Sequence, residues 1–165
     1  AIFFDRDGCL ISDKNYLYKP ELIEYFSDTF VALKQIQNLG YILFIVTNQS
    51  GIGRGMFKRS DMDLVHEKIQ NDMKMHGIHI TEIVHCPHTP EDNCQCRKPS
   101  PYLVEKLIQK YDIDKKNSYF IGDKISDAMT GTNAGINGVL IFTSHSNCTS
   151  FKNLTAFADS LKKLP

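Results

Sequence analysis

The chain has 165 residues, and its 19 Lys plus Arg balance 19 Asp plus Glu, for a formal net charge of zero. That length suits one domain with a real core, no apolar stretch is long enough to span a bilayer, and the balance argues against a phosphate-backbone groove, which needs a basic excess or stripe. Five cysteines, odd in number and mostly clustered, fit a reducing compartment and a metal site better than a disulfide framework. No signal-peptide pattern is present. The expectation is a cytoplasmic monomer with neither nucleic acid nor membrane as partner.

Strand and helix signals alternate along the chain. Residues 2–5 read as a short buried strand, with Gly8 opening a turn. Phe26, Phe30, Leu33 and Ile36 follow helical spacing, Ser27 or Asp28 can cap, and Gly40 stops the helix. Residues 41–47 (YILFIVT) are apolar and β-rich, as in a strand buried on both faces. The following SGIGRG lacks the Gly-Lys-Ser/Thr ending of a P-loop and reads equally well as a flexible turn. Ser60 and Asp63 resemble a capping box ahead of Met62, Val65, Ile69 and Met73, and Gly77 ends that helix. Residues 82–86 form a third strand. Ser100 and Pro101 open a helix carrying Leu103, Val104, Leu107, Ile108 and Tyr111. Residues 118–122 give a fourth strand, a short helix reaches Gly135, residues 138–143 give a fifth strand, and Leu154, Phe157 and Leu161 mark a terminal helix. This alternation predicts an α/β fold: a three-layer α/β/α, Rossmann-like parallel sheet in one domain over residues 1–165.

The polar motifs all follow strands: Asp5 and Asp7, then Thr47, Asn48 and Gln49, then the Cys86 region, then Asp123. In a parallel sheet those ends share one edge, where ligands bind. Two carboxylates there need a cation to offset burial. The Thr47 hydroxyl and the Asn48 amide can donate to phosphate oxygens. Arg97 offers a forked donor set and Lys98 a point charge for a phosphoryl group. Asp123, with Asp5 and the backbone carbonyl of Asp7, makes a hard-oxygen set for magnesium, while Asp127 can instead cap the following helix. These groups describe covalent phosphoryl transfer, with Asp5 as nucleophile and Asp7 as acid and then base.

In order and position, DRDG, VTNQ, RKP and GDKISD resemble the haloacid dehalogenase superfamily of aspartate-nucleophile phosphatases. The resemblance covers nearly the whole chain. It implies Asp5 as nucleophile, Asp7 as acid/base, Thr47 and Lys98 on phosphate, and Asp123 on magnesium. Cys9 stands where that family usually has Thr or Val. The intervals after DRDG and after Asn48 are too short for a separate cap domain, which predicts an open site.

The stretch CPHTPEDNCQC places Cys86, His88, Cys94 and Cys96 in a closed three-thiol, one-imidazole set, the usual arrangement of structural zinc. His85 is a competitor for the imidazole position, disfavoured by Pro87 and by spacing. With CRKP directly following, this loop (residues 86–96) resembles a zinc-loop subgroup comprising D,D-heptose 1,7-bisphosphate phosphatases and histidinol-phosphate phosphatases. TNQSGIGRG, GDK and NYLYKPELIEYF are similar to the heptose branch, whereas the short interval from His88 to Cys94 is similar to the histidinol branch. The heptose resemblance implies a sugar-bisphosphate substrate lined by Asp13, Lys14, Asn15, Tyr16, Thr47, Asn48, Gln49, Ser50, Arg97, Lys98 and Lys124. A bisphosphate site needs extra donors for its second phosphate, and Lys14, Arg54, Arg97 and Lys124 are the candidates. TNQSGIGRG also resembles polynucleotide 3′-phosphatases, which lack the cysteine loop. Tyr16 and Tyr18 read equally well as substrate or loop packing. Cys148 reads as a free thiol, and His66, His76 and His79 as surface residues.

Overall fold

The structure, a computed structural model, describes residues 1–161; the last residues of the expected 1–165 domain lie outside it. Six strands, β1 (Ile2–Phe4), β2 (Leu43–Asn48), β3 (Ile80–Cys86), β4 (Tyr119–Gly122), β5 (Asn137–Ile141) and β6 (Thr149–Phe151), form one parallel sheet in the order β3-β2-β1-β4-β5-β6. The helices are α1 (Thr29–Asn38), α2 (Ser50–Gly53), α3 (Arg59–Met75), α4 (Tyr102–Tyr111), α5 (Ile125–Ala134) and α6 (Leu154–Ser160). From β1 the chain steps outward through β2 and β3, then returns to β4 on the other side of β1 and steps outward again. That reversal between β1 and β4 opens a crevice at the C-terminal strand ends.

Strand periodicity divides the core in two. Ile2 and Phe4 face one side with Ile36 of α1, Ile69 of α3 and Phe157 of α6. Phe3 faces the other with Phe44, Phe120 and Val104 and Leu107 of α4. Burial on both faces explains why β1 and β2 read as continuous apolar runs rather than as alternating ones. Both central strands are thereby fixed in depth, and so are the polar residues that follow them.

Several local readings change. The first four residues of the SGIGRG stretch form the short helix α2 and the last two a turn; the helix is seated closely enough on Phe57 that a Cβ at Gly51 would lie 2.1 Å from its ring. The cap of α3 sits two residues earlier than expected: the Lys58 N–H donates to Asp61 at 2.7 Å. Asp28 precedes α1 without capping it, and its carboxylate accepts from the Thr155 N–H and hydroxyl, tying α1 to α6. Phe26 lies before the helix and packs on Phe142 at 4.6 Å. β6 is an additional edge strand. His66, expected at the surface, is buried, and its pKa is pulled down to about 3 by desolvation first, then by Arg6 and His85. His76 and His79 are exposed. Among the described residues, no helix is long and apolar enough to cross a membrane, and residues 5–28, after β1, carry a single-turn 3-10 helix (Pro20–Leu22) and isolated bridges from Ile11 to Asp7 and Tyr25.

Candidate active site

Asp5 follows β1 directly, its N–H donating to Ile121 of β4 at 2.8 Å, so the strand pairing itself sets its depth. Its Oδ1 lies 2.7 Å from Lys98 Nζ, and the same ammonium is 2.7 Å from Asp127 Oδ1. Asp5, Lys98 and Asp127 are all buried. Asp123, just beyond β4, completes a trio: one carboxylate oxygen each from Asp5, Asp123 and Asp127 lies within 4.8 Å of the others. One lysine does not neutralise three carboxylates, and Asp123 Oδ1 is buried with no hydrogen-bond partner. Burial raises the Asp123 carboxyl above its ordinary range, with Asp5 pushing the same way. Burial and then Asp5 push Asp127 up to about 6, against the pull of Lys98. Burial pulls Lys98 down, but Asp5 and Asp127 outweigh it and hold the ammonium above its usual range. Clustered, under-neutralised carboxylate oxygens with one orphaned acceptor are a hard-oxygen donor set, and magnesium fits it.

Asp127 serves twice: its Oδ2 accepts from the Lys124 N–H at 3.0 Å, capping α5, while Oδ1 faces Lys98. The capping alternative and a place in the cluster are therefore both realised. Two glycines make room for these carboxylates. A Cβ at Gly8, whose φ is +85°, would lie 2.5 Å from Asp123 Oδ2, and one at Gly122 would lie 2.2 Å from Asp127 Oδ2.

The Asp7 carboxylate turns away from this trio. Arg6 grips it through Nε (3.0 Å) and Nη2 (3.1 Å), and Gln49 Nε2 donates to it at 2.9 Å and to Thr47 Oγ1 at 2.9 Å. Burial raises the Asp7 carboxyl and Arg6 opposes the rise. Beside it, Asn48 and Lys98 exchange hydrogen bonds, Lys98 N–H to Asn48 Oδ1 at 3.1 Å and Asn48 Nδ2 to Lys98 O at 3.4 Å, which fastens the loop before α4 to the end of β2.

These groups open into a cleft of about 390 Å³. Asp5, Asp7, Thr47, Lys98 and Asp127 line it, as do Asp13, Asn15, Tyr16, Asn48, Gln49, Ser50, Arg97, Lys124 and Ser126. Ser126 was not read from the sequence. Lys14 is not in the cleft wall, because its ammonium pairs with Glu24 at 2.5 Å. Arg54 pairs instead with Glu91 at 3.8 Å. One rim is the segment from Asp13 to Tyr18. Asn15 and Tyr16 take left-handed φ values of 50° and 71°, Asp13 meets Lys124 at 3.3 Å, and Tyr18 stacks on Phe57.

The other rim is the cysteine loop. Cys86 Sγ lies 3.6 Å from His88 Nδ1, 3.5 Å from Cys94 Sγ and 3.1 Å from Cys96 Sγ, and His88 Nδ1 is 3.3 Å from Cys96 Sγ. Four ligands about 2.0–2.3 Å from one centre stand ~3.3–3.8 Å apart, so this donor set fits tetrahedral zinc. All three thiols are free of disulfides. His85, the rival imidazole, lies beside His66 at 6.1 Å between ring centroids and is not part of the cluster. The Arg97 guanidinium donates to the His88 carbonyl at 3.2 Å.

This topology, with an aspartate pair beyond β1 and a buried lysine bridging to the carboxylates beyond β4, defines a phosphatase of the haloacid dehalogenase type. The family model described as Polynucleotide kinase 3 phosphatase matches residues 1–159, and the chain belongs to that family. It is 45% identical to the D-glycero-alpha-D-manno-heptose-1,7-bisphosphate 7-phosphatase of Photorhabdus laumondii, over 81% of this chain and 77% of that protein. With the protein of the same name from Campylobacter jejuni it shares 39% identity, covering 99% of this chain and 96% of the relative. The crystal structure of D,D-heptose 1,7-bisphosphate phosphatase from B. bronchiseptica, complexed with magnesium and phosphate, superposes with a TM-score of 0.88 at 26% identity, covering 96% of this chain and 95% of that one.

Proposed function

We propose that this chain is a magnesium-dependent phosphomonoesterase that removes the 7-phosphate of D-glycero-D-manno-heptose 1,7-bisphosphate, on the route to nucleotide-activated heptose. The observation that carries the reading is the Asp5–Lys98–Asp127 cluster, held in a chain whose full-length relatives bear that activity in their names. Asp5 attacks phosphorus in line as the ester P–O bond breaks, giving an aspartyl-phosphate. Asp7 gives its proton to the leaving oxygen, then takes one from the water that displaces phosphate from Asp5. Thr47 and Lys98 hold the equatorial oxygens, with Arg97 reaching the same group. Asp5, Asp123 and the Asp7 carbonyl would hold magnesium, with Asp127 close by, and magnesium would offset the charge that builds on the phosphoryl group. Asp13, Asn15, Tyr16, Asn48, Gln49, Ser50 and Lys124 line the sugar's path, Lys124 facing its second phosphate. The free thiols support a cytoplasmic setting, and we read the protein as a single-domain monomer.

A substrate panel tests the reading. The heptose bisphosphate should exceed both histidinol phosphate and a 3′-phosphorylated oligonucleotide in kcat/KM by about 100-fold or more, with turnover dependent on added magnesium. Histidinol phosphate belongs in the panel because a histidine biosynthesis bifunctional protein of Campylobacter jejuni is 33% identical over 84% of this chain, although the match covers only 40% of that relative. The oligonucleotide belongs there because of the family's description, although zero net charge weighs against it. Preference for either comparison substrate would overturn the assignment.

Zinc held by Cys86, His88, Cys94 and Cys96 would order the loop that carries Arg97 and Lys98, with no ligand position left over for chemistry. Stripping it with a strong chelator under reducing conditions should lower activity by about tenfold or more and lower Tm, and zinc should restore both where magnesium does not. Zinc-free protein, verified by metal analysis, that keeps full activity would remove this role.

A further inference from the structure

Among the described residues, Arg6 is the largest of the fully buried side chains, at 0% exposed. A guanidinium carries five donors and a permanent charge, so burying it is strongly unfavourable unless its surroundings are built for it. In the chain it stands between two carboxylates, and the fold withdraws it from water, leaving Nη1 without a hydrogen-bond partner among the described residues while the other donors are engaged. Nε and Nη2 fork onto the two oxygens of Asp7. Nη2 also donates to Gln49 Oε1 at 3.0 Å and to the Leu17 carbonyl at 3.4 Å. Gln49 then closes a ring, its Nε2 donating to Asp7 Oδ2 at 2.9 Å and to Thr47 Oγ1 at 2.9 Å. Only one orientation of the Gln49 amide satisfies this pattern, because the guanidinium is purely a donor and the carboxylate needs donors. Arg6 does not line the cleft, so it has no direct access to substrate.

We propose that Arg6, braced by Gln49, is a positioning residue for Asp7: the fork fixes the carboxylate where the departing oxygen and then the incoming water arrive. This rests on the covalent reading above, in which Asp7 acts in both half-reactions. Positioning of this kind acts on the rate of a bound complex more than on binding.

The test compares Arg6→Met, which keeps much of the stem but no donors, with the parent on an alkyl phosphate and on p-nitrophenyl phosphate. With the alkyl substrate, kcat should fall about 100-fold or more while KM stays within about threefold. The nitrophenolate leaving group hardly needs a proton, so formation of the aspartyl-phosphate should be spared and its hydrolysis slowed. Rapid-mix experiments should therefore show a burst of one nitrophenolate per active site followed by slow turnover. Arg6→Lys restores the charge but not the fork, and should recover less than about tenfold. Gln49→Met leaves the Arg6–Asp7 pair in place and should show the same burst with a smaller loss, which keeps the proposal exposed if Arg6→Met does not fold. Equal losses on both substrates without a burst, or parent-like kcat in folded Arg6→Met, would overturn it. Failure of the covalent reading shows separately, as turnover in Asp5→Asn.

Discussion

Asp5→Asn is expected to reduce turnover by on the order of 10⁴-fold or more while the protein stays folded. An amide cannot serve as the phosphoryl acceptor, yet its oxygen can still take the hydrogen bond from Lys98 that now spans 2.7 Å to Asp5 Oδ1. The substitution also removes one of three clustered carboxylates, two of which are bridged by a single lysine, so the loss of an ion pair is partly offset by relief of like-charge repulsion. Parent-like far-UV circular dichroism and a Tm within a few degrees of the parent, together with no acid-stable phosphate on the quenched enzyme, are the expected results. An Asp5→Asn protein that releases phosphate at the parent's rate would end the covalent account, whatever the substrate.

Lys98→Met should be costly in two separable ways. It leaves Asp5 and Asp127 buried and unpaired, a change worth about 3–5 kcal/mol of stability, and it removes the charge proposed to meet the phosphoryl oxygens, worth about 10³-fold or more in kcat. Urea unfolding reads the first and initial rates read the second. Adding Asp127→Asn to Lys98→Met should recover stability, because the stranded carboxylate is gone, yet restore no turnover; the two sites touch, so the double variant must be measured rather than summed. A folded Lys98→Met protein as stable as the parent would mean that the 2.7 Å contacts at Lys98 contribute little to the fold.

Much of this architecture was readable because buried parallel strands leave an unambiguous trace. FF before DRDG and YILFIV before TNQ are apolar on both faces, and such strands deliver whatever follows them to one edge. The same logic brings Asp5, Thr47, Lys98 and Lys124 into one cleft. What escaped were features decided by a single rotamer or by a distant neighbour. Arg6 has the same local sequence signal as a solvated arginine, and only tertiary packing removes it from water. Asp127 was read as a helix cap, but one carboxylate has two oxygens, and the chain uses both. Lys14 left the cleft because Glu24, ten residues on, offered a closer partner. The edge strand β6 is a polar Thr-Ser-Phe with no alternation to detect, and α2 is half glycine, so propensity argued against a helix that tertiary contact with Phe57 stabilises. His66 sits on a helix of polar average composition, which hid its inward face.

Gly8 and Gly122 carry no side chain and would be passed over in any inventory of chemical groups. Each nonetheless keeps open the volume in which a carboxylate stands, against which one added methyl would press at 2.5 Å or 2.2 Å. The spacing of the negative centres is thus set by absent atoms as well as by present ones. Redesign of this framework for another metal would begin more profitably at those two bare α-carbons than at the acids themselves.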